Sequence, residues 1–411
     1  MAKKLFYCSP NPLMRFLWED EISATLYCIA NTLFMLEKKI KNEESQKTVS
    51  IDYFGEITQE NQKKISALLR NIVLDVLCED VNFVFKKREL PKSKKKRTPT
   101  FEQIDTICLF SGGIDSTLGI LESKKKFDKV MGLYIAHQDL GKITSKVDKI
   151  KREVLDSVGI PLFKFIAPSM GQGYSQLRGF LYVLYSAILS RYVNAKRVIV
   201  AECGATMYQP KFAPLDTITY TTHPSVLKLS KQISEIILKK PFEIITPFED
   251  FTKTEMMTLL ADDALLSKTH SCVTSRWDKN CGTCYACISR MIGSVNLGLS
   301  IDYFRSNVFE RKDNEMLSSL IHFCLNFELH QDNIDYWSLK TIKLYHKEDL
   351  FTRASQDIFL CLKKLAELQK LDSGYEIVLD YYLKFKSKEL SKREEIIKTN
   401  RLSANFEKKV I

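Results

Sequence analysis

Between residues 101 and about 300, short apolar runs alternate with longer stretches in which apolar side chains recur every three or four positions. The runs at 106–110 (TICLF), 130–135 (VMGLYI), 162–166 (LFKFI), 197–201 (RVIVA) and 242–245 (FEII) have the length and side-chain types of buried strands. Residues 145–157 and 176–193 between them carry helical spacing. Strand and helix in alternation predict βαβ units, hence an α/β, doubly wound parallel sheet covered on both faces. Ligands of such sheets bind beyond the carboxyl ends of the strands, so the loops there are the first place to look for chemistry.

The flanks read differently. Residues 1–90 predict a small α+β domain, with strands at 48–54 and 81–85 around a helix at 62–78. A basic stretch bounded by Pro91 and Pro99 follows, which reads as a linker over 91–100. Residues 101–300 form the sheet domain, and 301–411 a helical region with patterns at 358–371 and 375–385. No internal repeat is visible.

Lysine and arginine exceed aspartate and glutamate by 61 − 50 = 11, but the excess is local. Residues 86–97 carry eight basic and one acidic side chain, and residues 384–409 nine and four. Charge confined to a linker and a tail is the pattern of solvated segments, and nucleic-acid contact is the less favoured reading. The longest apolar stretch, 179–189, is far short of the ~18 residues that cross a bilayer. No secretory signal precedes it, so a cytoplasmic protein with no membrane contact is expected. Its eleven cysteines should then be mostly reduced thiols.

The first βα turn reads Phe110-Ser111-Gly112-Gly113-Ile114-Asp115-Ser116-Thr117. Two glycines let backbone N–H groups approach an anion, the hydroxyls of Ser111, Ser116 and Thr117 add donors, and the next helix points its positive end at the same place. Asp115 would repel phosphate, so it orients the loop or holds Mg²⁺. The Gly-Lys-Ser/Thr ending of a Walker loop is absent.

Four cysteines stand apart from the rest: Cys272, Cys281, Cys284 and Cys287, spaced C-x8-C-x2-C-x2-C. Four thiolates at these intervals can close a tetrahedron around Zn²⁺ with no open position, a structural site. Redox chemistry of a Cys-x-x-Cys pair and an iron–sulfur cluster are the alternatives.

The order Ser-Gly-Gly-x-Asp-Ser resembles the PP-loop of the adenine-nucleotide α-hydrolase-like ATP pyrophosphatases, which split ATP between its α and β phosphates. The zinc motif, ending in Cys287-Ile288-Ser289-Arg290, is similar to that of QueC, 7-cyano-7-deazaguanine synthase. So is Thr246-Pro247-Phe248 with Lys253 and Glu255. The resemblance covers roughly residues 104–297 and implies ATP, Mg²⁺ and Zn²⁺ as cofactors. It departs from QueC at residues 134–139, at Leu177-Arg178-Gly179, and in its first 100 and last 110 residues, which QueC lacks.

Glu202-Cys203-Gly204 and Thr221-Thr222-His223-Pro224 are similar instead to the Glu-Asn-Gly and Thr-Thr-His-Pro segments of QatC-type proteins of antiphage operons. Cys203 replaces their asparagine. This likeness implies a ligase that adenylates a 7-deazaguanine carboxylate and transfers it to an amine of a partner protein from the same operon. An ammonia-using 7-cyano-7-deazaguanine synthase and a tRNA-modifying PP-loop enzyme are the alternatives. Ser111, Gly112, Gly113, Asp115, Ser116 and Thr117 would bind the nucleotide, with Asp115 and Ser116 also in the reaction. Replacing Asp115 with alanine should then abolish ATP use and leave the fold intact. Glu202 would contact the guanine-like edge or be a solvated loop carboxylate. His223 would be a general base or a histidine satisfied by its loop. Arg178 would hold phosphate or carboxylate, or mark a helix start.

Overall fold

Among the described residues, seven strands pair in parallel in two sheets. β1 (Thr48–Phe54) pairs with β2 (Asn82–Arg88) across the helix Gln59–Leu77, a single βαβ unit. β3 (Thr106–Leu109), β4 (Val130–His137), β5 (Leu162–Ala167), β6 (Arg197–Ile199) and β7 (Glu243–Ile245) form the main sheet, in the order β5-β4-β3-β6-β7. The computed structural model describes residues 20–40, 48–90, 102–137, 152–167, 176–208, 221–260, 263–272, 280–310, 313–334, 336–399, 403–407 and 409–410. The expected linker at 91–100, most of the expected helix at 145–157 and positions 138–139 lie outside these residues.

Both faces of the sheet are covered because alternate strand residues point to opposite sides. Ile107, Leu133, Val198 and Ile244 enter one apolar cluster. Cys108, Ile199 and Ile245, one position on from three of these, enter a second with Leu118, Phe248 and Met256. The first face is covered by the helix Arg178–Val193, which is apolar all round because it lies between the sheet and two further helices, Glu21–Ile40 and Pro224–Leu238.

The helix Glu21–Ile40 has no counterpart in the sequence reading. Residues 23–34 are all buried, and the polar Ser23, Thr25, Asn31 and Thr32 among them interrupt the apolar pattern by which a buried helix is read. It grips the helix Arg178–Val193 by specific contacts. Tyr185 donates to Asn31 Oδ1 at 2.9 Å and stacks on Tyr27, and Arg191 forks onto Asp20 at 2.7 and 2.9 Å. Glu37 accepts from the backbone N–H groups of Gln176 at 2.9 Å and Leu177 at 3.3 Å. It therefore caps a helix whose own N-cap, Leu177, provides no side-chain bond. Glu37→Ala should cost about 1–2 kcal/mol, read as a lower urea midpoint, with Glu37→Gln recovering most of it. An unchanged midpoint for the alanine variant would refute the capping role.

The helices Glu315–Leu329, Tyr336–Leu344, Glu348–Glu367 and Ser373–Thr399 make up the C-terminal region. The expected helical patterns are parts of the last two, which start earlier or run longer than their apolar segments suggest. These helices join the same apolar cluster as the sheet's first face. The tail then returns to β7, where Val410 N–H donates to Ile244 O at 2.9 Å and covers the sheet's edge. No described helix is long and apolar enough to cross a membrane.

Candidate active site

β3 is the central strand, and the chain proceeds to β4 on one side of it and to β6 on the other. The crevice beyond the carboxyl ends of β3 and β6 is therefore the switch point of the sheet. The loop after β3 lies there and leads into the helix Ile114–Lys126. Gly112 takes φ 78°, a conformation that costs a side chain dearly, and its carbonyl accepts from His270 N–H at 2.8 Å. Ser116 Oγ accepts from Ser111 N–H at 3.1 Å and donates to Gly113 O at 3.0 Å, while Thr117 Oγ1 donates to Gly113 O at 2.8 Å. Gly113 N–H donates to Ser111 Oγ, and Ile114 N–H to Ser271 Oγ at 3.1 Å. The hydroxyls thus shape the loop, and the helix N-terminus is held by oxygen atoms an anion could replace.

Asp115 forms a buried ion pair with Lys253, the first residue of the short helix Lys253–Met257. Glu202, just past β6, hydrogen-bonds to Asp115. Burial, followed by the charge on Asp115, pushes the Glu202 carboxyl well above the ordinary carboxylate range. Burial acts the same way on Asp115, but the Lys253 ammonium and its hydrogen bonds hold it below its usual value. The two neighbouring carboxyl groups are thus pushed apart, Glu202 towards its neutral form and Asp115 towards its charged form. The neighbouring Cys203 thiol, pushed up to about 11 first by burial, stays neutral. Donor atoms of Asp115, Glu202 and Cys203 lie within 4.8 Å of one another. Two carboxyl groups suit Mg²⁺ once both are ionised, and a neutral thiol does not ligate it. Arg178 completes the group: its charge acts on Glu202, its guanidinium lies 5.9 Å from the Tyr182 ring, and its buried Nε has no hydrogen-bond partner among the described residues.

The structure thus brings together the loop, Asp115, Glu202 and Arg178. It adds Lys253, which the sequence displayed only as part of a motif without a role. His223 has a different setting, as N-cap of the helix Pro224–Leu238. Its Nδ1 accepts from Ser225 N–H at 3.3 Å and lies 2.8 Å from Ser225 Oγ, with the ring edge-on to Tyr208 and Tyr345. Burial lowers the imidazole to about 4, so it is neutral at pH 7. The unfolded chain binds this proton near pH 6.5, so the stability due to His223 is fully present above that pH and is lost as pH falls from 6.5 towards 4. His223→Gln should flatten the acid limb of a melting-temperature profile across that window. An unchanged limb would mean the ring is protonated in the native state.

Cys272, Cys281, Cys284 and Cys287 hold their four sulfurs within 4.8 Å of one another. Cys281 and Cys287 Sγ are 3.8 Å apart. That is the edge of a tetrahedron with ~2.3 Å metal–sulfur bonds, since the edge is about 1.6 times the bond. Cys281 Sγ accepts N–H bonds from Thr283 and Cys284, each at 3.3 Å, and Cys272 Sγ accepts from Cys281 at 3.4 Å. Gly282 takes φ 84°, and a Cβ there would stand 1.9 Å from Ser306 O. The four thiols can hold zinc. Arg290 lies behind them, fully buried, donating to the carbonyls of Thr269 and Leu266. His270 and Ser271, which brace the phosphate loop, immediately precede Cys272.

Comparison with known proteins gives two likenesses. The family model described as queuosine biosynthesis protein QueC matches residues 212–298, a stretch that includes Lys253 and the four cysteines. The 7-cyano-7-deazaguanine synthase of Methanothrix thermoacetophila is 25% identical over 223 residues, covering 47% of this chain and 95% of that protein. The chain is thus similar to QueC proteins, and it carries a glycine loop and a four-cysteine knuckle beside these likenesses.

Proposed function

We propose that the protein is an ATP-dependent ligase of antiphage defence that adenylates a 7-deazaguanine carboxylate and transfers the acyl group to an amine of a partner protein, the activity that its resemblance to QatC-type proteins implies. The observation that carries the ATP half is the Asp115–Glu202–Lys253 cluster beside the glycine loop at the switch point of the sheet. Asp115 and Glu202 would hold Mg²⁺, which neutralises triphosphate charge when bound. Loop N–H groups and Lys253 donate to phosphate oxygens. Arg178 can fork onto the substrate carboxylate and orient it towards the α-phosphorus. A carboxylate oxygen then bonds to that phosphorus as pyrophosphate leaves. An amine next attacks the acyl carbon, AMP departs, and the nitrogen loses a proton.

Transfer to a protein is supported by the Glu202–Gly204 and Thr221–Pro224 segments and by the appended regions at both ends. A second reading, 7-cyano-7-deazaguanine formation with ammonia, is favoured by the name of the Methanothrix relative. Mass spectrometry on purified protein with ATP, Mg²⁺ and 7-carboxy-7-deazaguanine, with and without ammonia, separates the two. AMP, pyrophosphate and an adenylate or amide without nitrile support the ligase. Efficient nitrile release supports the synthase, and no ATP consumption even with the operon's partner proteins rejects both.

A further inference from the structure

The ammonium of Lys253 is carried by a five-residue helix that is too short to hold itself. A lysine at a helix N-terminus also opposes the helix dipole. Something outside must keep the segment in place. Thr252 caps the helix, and Glu255 returns its carboxylate to Thr252 N–H at 2.9 Å. Both residues are then seized by the C-terminal helices. Arg393 donates from Nη1 to Glu255 at 2.7 Å and from Nε to Asp357 at 2.9 Å. Thr252 Oγ1 donates to Asp357 at 2.5 Å. Arg353 pairs with Glu255 and donates to Asp250 O at 3.0 Å. Asn296 Nδ2 bridges Thr254 Oγ1 at 3.2 Å and Asp357 O at 2.8 Å. Arg393 and Asp357 side chains are 1% and 4% exposed.

Two arginines face the buried carboxylates of Glu255 and Asp357, and Arg353 also pairs with Asp349 at the exposed edge. Buried clusters of this kind contribute little more stability than well-packed apolar groups of the same shape, but they allow only one geometry. What this one holds is the register of residues 250–255. We propose that Arg393 and Asp357 are positioning residues for Lys253, through which the C-terminal helices keep its ammonium on Asp115 and so maintain the nucleotide site. The chemistry at that site rests on the ATP reading above; the positioning does not.

The test replaces the buried pair by apolar groups of similar size, Arg393→Met with Asp357→Leu. Acetylation of Lys253 by an N-hydroxysuccinimide ester is followed by mass spectrometry against exposed Lys125. Melting temperature and kcat/KM for ATP are measured alongside. The expected result is a folded protein in which Lys253 labels about fivefold faster or more, a local opening without global unfolding. Its kcat/KM should fall about a hundredfold, the cost of misplacing a group by an ångström. Added to Lys253→Met, the two changes should cause little further loss, because all act through one ammonium. A folded variant with Lys253 still fully protected overturns the proposal, as does a kinetic loss that adds in full to that of Lys253→Met. If the apolar pair does not fold, Arg393→Lys, which keeps the charge but not the fork, is read the same way. If the wild type consumes no ATP, the labelling ratio decides alone.

Discussion

Asp115→Asn is expected to lower ATP consumption by roughly a hundred- to a thousandfold, the usual cost of removing one charge-stabilising group from a site, while the protein stays folded. The reason lies in Glu202. Without the charge on Asp115, the Lys253 ammonium favours the charged form of Glu202, and the asparagine amide still offers the ammonium an oxygen in place of the carboxylate. Asp115→Ala is less benign. It opens space beside an ammonium only 12% exposed and removes the carboxylate that forms its ion pair. Among the described residues Glu202 is then the one carboxyl left to the ammonium and no oxygen fills the space, so part of the about 3–5 kcal/mol cost of a buried charge without its partner is expected. A measurable drop in melting temperature is therefore predicted for the alanine variant, where the reading of the sequence alone expects an intact fold. Lys253→Met added to Asp115→Ala should restore the melting temperature but not the activity. Calorimetry and pyrophosphate release check both halves. Wild-type turnover in Asp115→Asn would remove the ATP assignment, and an unshifted melting point in Asp115→Ala would remove the buried ion pair.

The second large effect concerns the cysteine knuckle. Cys284→Ser should lose about one equivalent of bound zinc and lower the melting temperature by roughly 10 °C or more, because metal-binding energy at a closed site is folding energy. It should also weaken nucleotide binding, although the sulfurs do not touch the loop. His270 and Ser271 hold Gly112 O and Ile114 N–H, and the next residue is a ligand. Metal analysis of the purified wild type distinguishes zinc from an iron–sulfur cluster. A serine variant that retains zinc and melts like the wild type would show that the thiols are not a metal site. One that loses zinc yet binds nucleotide normally would show that the knuckle and the loop are independent.

The strands were legible because each is a short apolar run between turns, and the structure shifts their ends by only a few residues. The cysteine spacing was legible for a related reason: ligands eight or fewer intervening residues apart meet through local turns. The helix Glu21–Ile40 was not, because buried Ser23, Thr25, Asn31, Thr32 and Glu37 interrupt its apolar pattern. Lys253 was visible as a letter in a motif, but its partner Asp115 is 138 residues away. Nothing along the chain announces a pair of that kind.

The division follows from range. Sequence alone determined the order of strands and helices, the glycine loop and the thiol cluster, since each depends on backbone conformation and side-chain periodicity over a few residues. Tertiary structure decided which charges meet. It pushed the Glu202 carboxyl above its ordinary range and turned His223 into a helix cap, and it left the Arg178 Nε without a hydrogen-bond partner among the described residues. It also brought Arg393 and Asp357 to the segment carrying Lys253. Protonation, pairing and burial depend on groups within a few ångströms in space, and only the folded chain sets those distances.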